Sequence, residues 1–77
     1  MDLKILDSRR IIYHGQARSV FVQADTGEFE ILDFHRPLVS LLRKGVLVVD
    51  QEKVFAVNKG VINVSANQVI ALVEETL

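Results

Sequence analysis

No apolar run in this sequence exceeds about eight residues before a turn signal interrupts it. The breaks fall at Asp7-Ser8, Gly15-Gln16, Asp25-Thr26-Gly27, Asp33 to Pro37, Lys44-Gly45, Asp50 to Lys53, Asn58 to Gly60 and Ser65 to Asn67. Valine and isoleucine supply 18 of the 77 residues. Side chains branched at Cβ fit a pleated strand better than a helix, where the preceding turn restricts their rotamers. Short runs at regular spacing predict an all-β sandwich or barrel. Strands are expected at about 3–7, 10–14, 17–24, 28–32, 38–43, 45–50, 53–58, 61–65 and 67–73, giving nine to ten short strands in one domain over residues 1–77. One stretch has a second reading. Leu38, Leu41 and Leu42 follow Pro37 at helical spacing, but the segment is short. A strand with Val39 and Leu41 opposite Leu38, Ser40 and Leu42 is preferred.

The alternation breaks down in an informative place. Glu28-Phe29-Glu30-Ile31 reads as a half-buried strand with its carboxylates outward. Val46 to Val49, Val54 to Val57 and Val69 to Val73 are apolar on both faces, although no helix is available to cover a second face. A small two-layer domain buries one face of each sheet, so these strands predict an exposed apolar patch and a partner to cover it. Size points the same way. A core of 77 residues supplies only about 3–5 kcal/mol, and small domains add disulfides, a metal or a partner. There is no cysteine, and His14 and His35 lack the short spacing of a zinc site, so a partner remains.

Charge and motifs exclude other classes. Nine Lys and Arg against ten Asp and Glu give a net charge of −1, without the basic footprint that displaces counterions from nucleic acid. No apolar run reaches the length of a membrane helix, and Met1-Asp2-Leu3-Lys4 lacks a signal-peptide layout; a cytosolic soluble domain is expected. His35 lies near Asp33 and Ser40, but no nucleophile elbow accompanies them. Gly27-Glu28-Phe29-Glu30 lacks the repeated glycines and helix start of a phosphate cradle. No catalytic site, cofactor or metal is expected.

Thr26-Gly27-Glu28-Phe29-Glu30-Ile31-Leu32, then Asp33-Phe34-His35-Arg36-Pro37, the leucine-rich Leu38 to Leu42 and Arg43-Lys44-Gly45 together resemble the signature of the F-type ATP synthase epsilon subunit. That family reads Gly-acidic-apolar-Gly-Ile-Leu, Pro-Gly-His-Ala-Pro, a leucine-rich strand and Lys-Pro-Gly. Tyr13-His14-Gly15 is similar to its opening aromatic-x-Gly turn, and Asn58-Lys59-Gly60-Val61 to a later glycine corner. The resemblance spans essentially the whole sequence. Departures are Glu30, Phe34 and Lys59, which stand where the family commonly has glycine.

The resemblance implies a two-sheet antiparallel β-sandwich and a non-catalytic central-stalk subunit. Such a subunit binds the gamma subunit and the membrane c ring, and so couples ion translocation to ATP synthesis. It is peripheral to the membrane, at the cytoplasmic face of a bacterial inner membrane. By motif position the gamma contacts are Asp7, His35, Pro37 and Ser40, and the c-ring contacts are Gly27, Glu28 and Glu30. The family continues into a helical hairpin that inhibits ATP hydrolysis; this sequence stops at Leu77, so coupling without that inhibition is expected.

Overall fold

In the computed structural model, which describes residues 1–75, the β-branched runs form strands and the turn residues connect them. Thr76 and Leu77, the last residues of the domain read from the sequence, lie outside the described residues. The strands are β1 (Asp2–Leu6), β2 (Ile11–Gln16), β3 (Ser19–Ala24), β4 (Gly27–Leu32), β5 (Leu38–Val49), β6 (Lys53–Ser65) and β7 (Gln68–Glu75). Their hydrogen-bonded order is β2-β1-β7-β6-β5-β3-β4. Leu38 to Lys44 is strand, as preferred from its alternation.

Seven strands replace the expected nine to ten because two of the breaks bend a strand instead of ending it. β5 and β6 pair from Leu38↔Val64 to Val49↔Lys53, and only Arg43-Lys44 and Asn58-Lys59 stand outside the paired register. At that level the inward positions change parity in both strands: Leu42 gives way to Leu47 and Val49, and Val57 to Ile62 and Val64. The long hairpin therefore belongs to both layers of the sandwich. The first half of β5 and the second half of β6 continue into β7, β1 and β2, and the remaining halves continue into β3 and β4.

The expectation of purely antiparallel sheets is also corrected. β1 runs parallel to β7, from Asp2↔Gln68 to Leu6↔Leu72. β1 inserts between β2 and β7, which places these three strands in one layer.

The layers meet through Leu3, Ile5, Ile62, Val64 and Val69 on one side and Val20, Val22, Ile31, Leu47 and Val49 on the other, each at most 2% exposed. Burial of each such side chain is worth about 1.5–3 kcal/mol relative to exposure. At one margin Tyr13 of β2 packs edge-on against Phe55 of β6, with ring centroids 5.7 Å apart. The Lys53 ammonium lies 5.2 Å from the Tyr13 centroid.

Both bends contain a glycine that another segment approaches closely. A Cβ at Gly60 would lie 2.6 Å from the Leu72 carbonyl oxygen, and one at Gly45 would lie 2.0 Å from Gln23 Oε1. Beyond the bend, Asp50 and Gln51 turn β5 into β6 with φ of 53° and 58°, a sense that matches the twist of the flanking strands. The Asp50 carboxylate accepts hydrogen bonds from the Arg18 and Ser19 N–H groups at 2.6 and 3.1 Å. Its own N–H donates to the Ser19 carbonyl at 2.9 Å.

The bonds from Arg18 and Ser19 hold the Asp50 carboxyl below its ordinary 3.8. A carboxyl with a depressed folded pKa stabilises the fold above its unfolded value and loses that contribution as pH falls through the folded one. We expect the stability advantage of the wild type over Asp50→Asn to be constant near neutrality and to shrink as the pH falls below 3.8. Urea melts of both proteins across that range measure it; an advantage independent of pH would refute the assignment.

Candidate partner-binding surface

The strand register creates an apolar surface to which the two-sided runs contribute only Leu72, the rest coming from strands not singled out for it. Leu41 faces Val61, Val61 faces Leu72, Leu72 faces Leu6, and Leu6 faces Ile11. These outward side chains make one apolar row across five strands. Leu41 is 60% and Leu72 49% exposed, whereas Val61 and Leu6 in the same row are half-buried. The parallel row one pleat away, Val39, Asn63, Ile70, Lys4 and His14, is mixed in polarity. His14 Nε2 lies 3.4 Å from Asp2 Oδ1 there, a surface pairing and not a catalytic arrangement.

At one end the row runs into an open groove of about 1050 Å³. Gly60, Val61, Leu72 and Val73 line its floor, and the Asp7 to Arg10 loop, Lys59 and Glu74 line its walls. Asp7 shapes that loop. Its Oδ1 accepts the Arg9 and Arg10 N–H bonds at 2.7 and 2.8 Å, and its own N–H donates to the Arg10 carbonyl at 3.0 Å. Across the groove Lys59 Nζ stands 3.6 Å from Glu74 Oε2.

His35 and Pro37 lie at the other end of β1, which at five residues separates the two ends by about 17 Å. The β4–β5 loop that carries them is tied down at consecutive residues. Asp33 pairs with the Met1 ammonium, the Phe34 N–H donates to Asn67 Oδ1 at 2.8 Å, and the His35 N–H donates to the Leu32 carbonyl at 3.2 Å. The His35 ring donates from Nδ1 to the Arg36 carbonyl at 2.7 Å. Ser40 is half-buried in β5, opposite Ile62. The four residues assigned to a gamma contact are thus spread along the molecule, with Asp7 at one end and His35 and Pro37 at the other.

Gly27, Glu28 and Glu30 lie in the first half of β4, directly after the Asp25-Thr26 turn from β3. Gly27 has φ of 127°, a conformation that favours glycine. Both glutamates point outward, opposite Gln23 and Phe21. Glu28 is more than a solvated turn charge. Its Oε2 accepts a hydrogen bond from Gln23 Nε2 at 2.7 Å and lies 3.7 Å from Arg43 Nη2. Gln23 Oε1 accepts the Val46 N–H at 2.8 Å, where the register between β3 and β5 breaks after Val22. The carboxamide thus fills the bulge of β5 and clasps the turn to it.

The family model described as the ATP synthase delta/epsilon chain beta-sandwich domain matches residues 1–77. The chain belongs to that family. It is 37% identical over 78 residues to the ATP synthase epsilon chain of Sulfurimonas denitrificans, covering 96% of this chain and 60% of that relative. It is 33% identical over 79 residues to the epsilon chain of Neisseria meningitidis serogroup C, covering 96% and 56%. This epsilon-type chain therefore spans about 60% of the length of the curated relatives it matches. Among solved structures, a chain of the Euglena gracilis mitochondrial ATP synthase superposes with a TM-score of 0.85 at 20% identity, covering 97% of this chain and 51% of that one. A chain from the central stalk and c ring of the Tetrahymena thermophila enzyme gives 0.83 at 13% identity, covering 96% and 63%. These two likenesses show the fold.

Within this epsilon-type domain the three glycine departures differ. Glu30 keeps an ordinary strand conformation and Lys59 sits at the β6 irregularity, whereas Phe34 takes φ of 62°. The Phe34 ring is also exposed. Gln23 lies in no recognisable motif, and Arg43 reads only as part of the Arg43-Lys44-Gly45 stretch with no partner assigned to it; Gly45, which yields space to Gln23, is the nearest signal. Gln23→Leu is expected to lower the unfolding free energy by about 1–3 kcal/mol, since the Val46 N–H loses its acceptor. Hydrogen exchange at Val46 should accelerate; unchanged exchange there would show that the carboxamide does not satisfy this group.

Proposed function

We propose that this chain is a non-catalytic central-stalk subunit of a rotary F-type ATP synthase. It binds the gamma subunit and the membrane c ring and couples ion translocation to ATP synthesis on other chains. The observation that carries the reading is the apolar row from Leu41 to Ile11 on a domain of the delta/epsilon family. A rotor joint transmits torque through fixed contacts, and this sandwich combines a stiff two-layer core with a broad face suited to one. Burial against a partner also stabilises a small folded domain by mass action.

In this reading Asp7, His35, Pro37 and Ser40 belong to the gamma contact. Asp7 acts by shaping the loop at one end of the row, and Pro37 by holding the β4–β5 connection extended. Gly27, Glu28 and Glu30 form the c-ring contact, where carboxylates meet basic polar loops and set orientation more than affinity. The chain works peripherally, at the cytoplasmic face of a bacterial inner membrane. Among the described residues no helix is long and apolar enough to cross a membrane.

Two measurements test these contacts. Aspartate at both His35 and Ser40 is expected to weaken binding to the gamma subunit of the same organism by about tenfold or more, because charge would be desolvated at the joint. Unchanged affinity by calorimetry would remove these residues from the contact. Lysine at both Glu28 and Glu30 is expected to lower ions pumped per ATP hydrolysed in the reconstituted enzyme. Unchanged pumping and ring association would remove the β3–β4 turn.

A further inference from the structure

Phe34 combines two features that the domain itself does not account for. Its ring is 82% exposed, the highest value among the large apolar side chains described. Its φ of 62° lies in the left-handed region, which a bulky side chain rarely occupies and a glycine takes readily. An aromatic residue is therefore held in an unfavourable backbone conformation while its ring remains in water.

The surrounding bonds fix this presentation. The Phe34 N–H is held by Asn67 Oδ1 at 2.8 Å, and Asn67 accepts the Asp2 N–H through its own carbonyl at 3.1 Å. Asp33 on one side pairs with the Met1 ammonium, and His35 on the other donates to the Leu32 carbonyl. The loop thus borrows rigidity from β1, β4 and the β6–β7 turn. It then leads into β5, whose first fully outward apolar side chain, Val39, is 68% exposed.

We propose that Phe34 is the aromatic anchor of the partner contact, inserted into an apolar pocket on the gamma subunit and flanked by His35 and Pro37. The proposal rests on the gamma-binding reading above and names the residue that carries its affinity. A few desolvated, well-packed aromatic side chains dominate most interfaces. A ring already held in its bound position loses little further freedom on docking, so the ties at Asp33, Phe34 and His35 act as pre-organisation. The c ring is the less fitting occupant, because the acidic β3–β4 turn packs at a different corner, where the Asp25 N–H donates to the Leu41 carbonyl.

The test uses the chain as its gene encodes it, with the gamma subunit of the same organism as probe. Phe34→Gly is expected to reduce affinity about thirtyfold or more and to leave the melting temperature of the unbound chain unchanged or higher, since glycine accepts the positive φ. Phe34→Tyr, which keeps a ring, is expected to bind within about threefold of wild type. The proposal is overturned if Phe34→Gly binds as wild type does, or if its melting temperature falls in step with affinity. Loss of affinity in His35→Asp with none in Phe34→Gly removes the anchor but keeps the gamma reading. No loss in either removes both. Loss of self-association by the unbound chain in Phe34→Gly, with gamma affinity intact, assigns the ring to a contact between two copies and overturns the proposal.

Discussion

The rest of the domain depends on the way one hairpin passes through both layers. Two separate sheets joined by loops would need more chain than is available to build two cores. β5 and β6 instead keep their mutual pairing across the bend and give each half a different set of neighbours. The physical limit is the space at the bend. Gly60 lets the β7 backbone pass within contact of β6, and Gly45 leaves room for the Gln23 carboxamide to satisfy a strand N–H that the β3–β5 ladder leaves out. Strand continuity, close crossing and polar satisfaction are met together at these two positions.

Much of this architecture can be read from residue order. Alternation in Glu28 to Ile31 gave the correct faces, whereas of the two-sided strands only Val69 to Val73 supplies a residue, Leu72, to the apolar row. Lys44-Gly45 and Asn58 to Gly60 were also recognised as interruptions. Local chemistry does not distinguish a glycine that ends a strand from one that bends it; the difference lies in which distant segment passes over it. The parallel pairing of β1 with β7 escaped for a related reason, since periodicity within a strand contains no information about its neighbours.

The surface was less legible than the fold. Asp7 is recognisable as a turn residue, but only its bonds to the Arg9 and Arg10 N–H groups reveal how it shapes the groove wall. Glu28 reads as a solvated acid until Gln23 and Arg43 are seen beside it. The apolar row is invisible as a run because Leu6, Ile11, Leu41, Val61 and Leu72 come from five strands. Phe34 left a trace only as a departure from the epsilon signature. The N–H of this residue is held by Asn67, which lies a whole hairpin away.

The parallel pairing of β1 with β7 bears on how the protein is made. The β1–β2 hairpin is synthesised before β7, yet the remaining edge of β1 is completed only by Gln68 to Leu72. Until that segment is synthesised, β1 exposes an unpaired edge and Leu3 and Ile5 have a strand on the β2 side only. Closing so long a loop carries an entropic cost before its contacts can compensate, which slows folding of non-local β topologies. Nascent chains with open strand edges are prone to associate. The order of translation thus leaves the first strand dependent on the last for its protection.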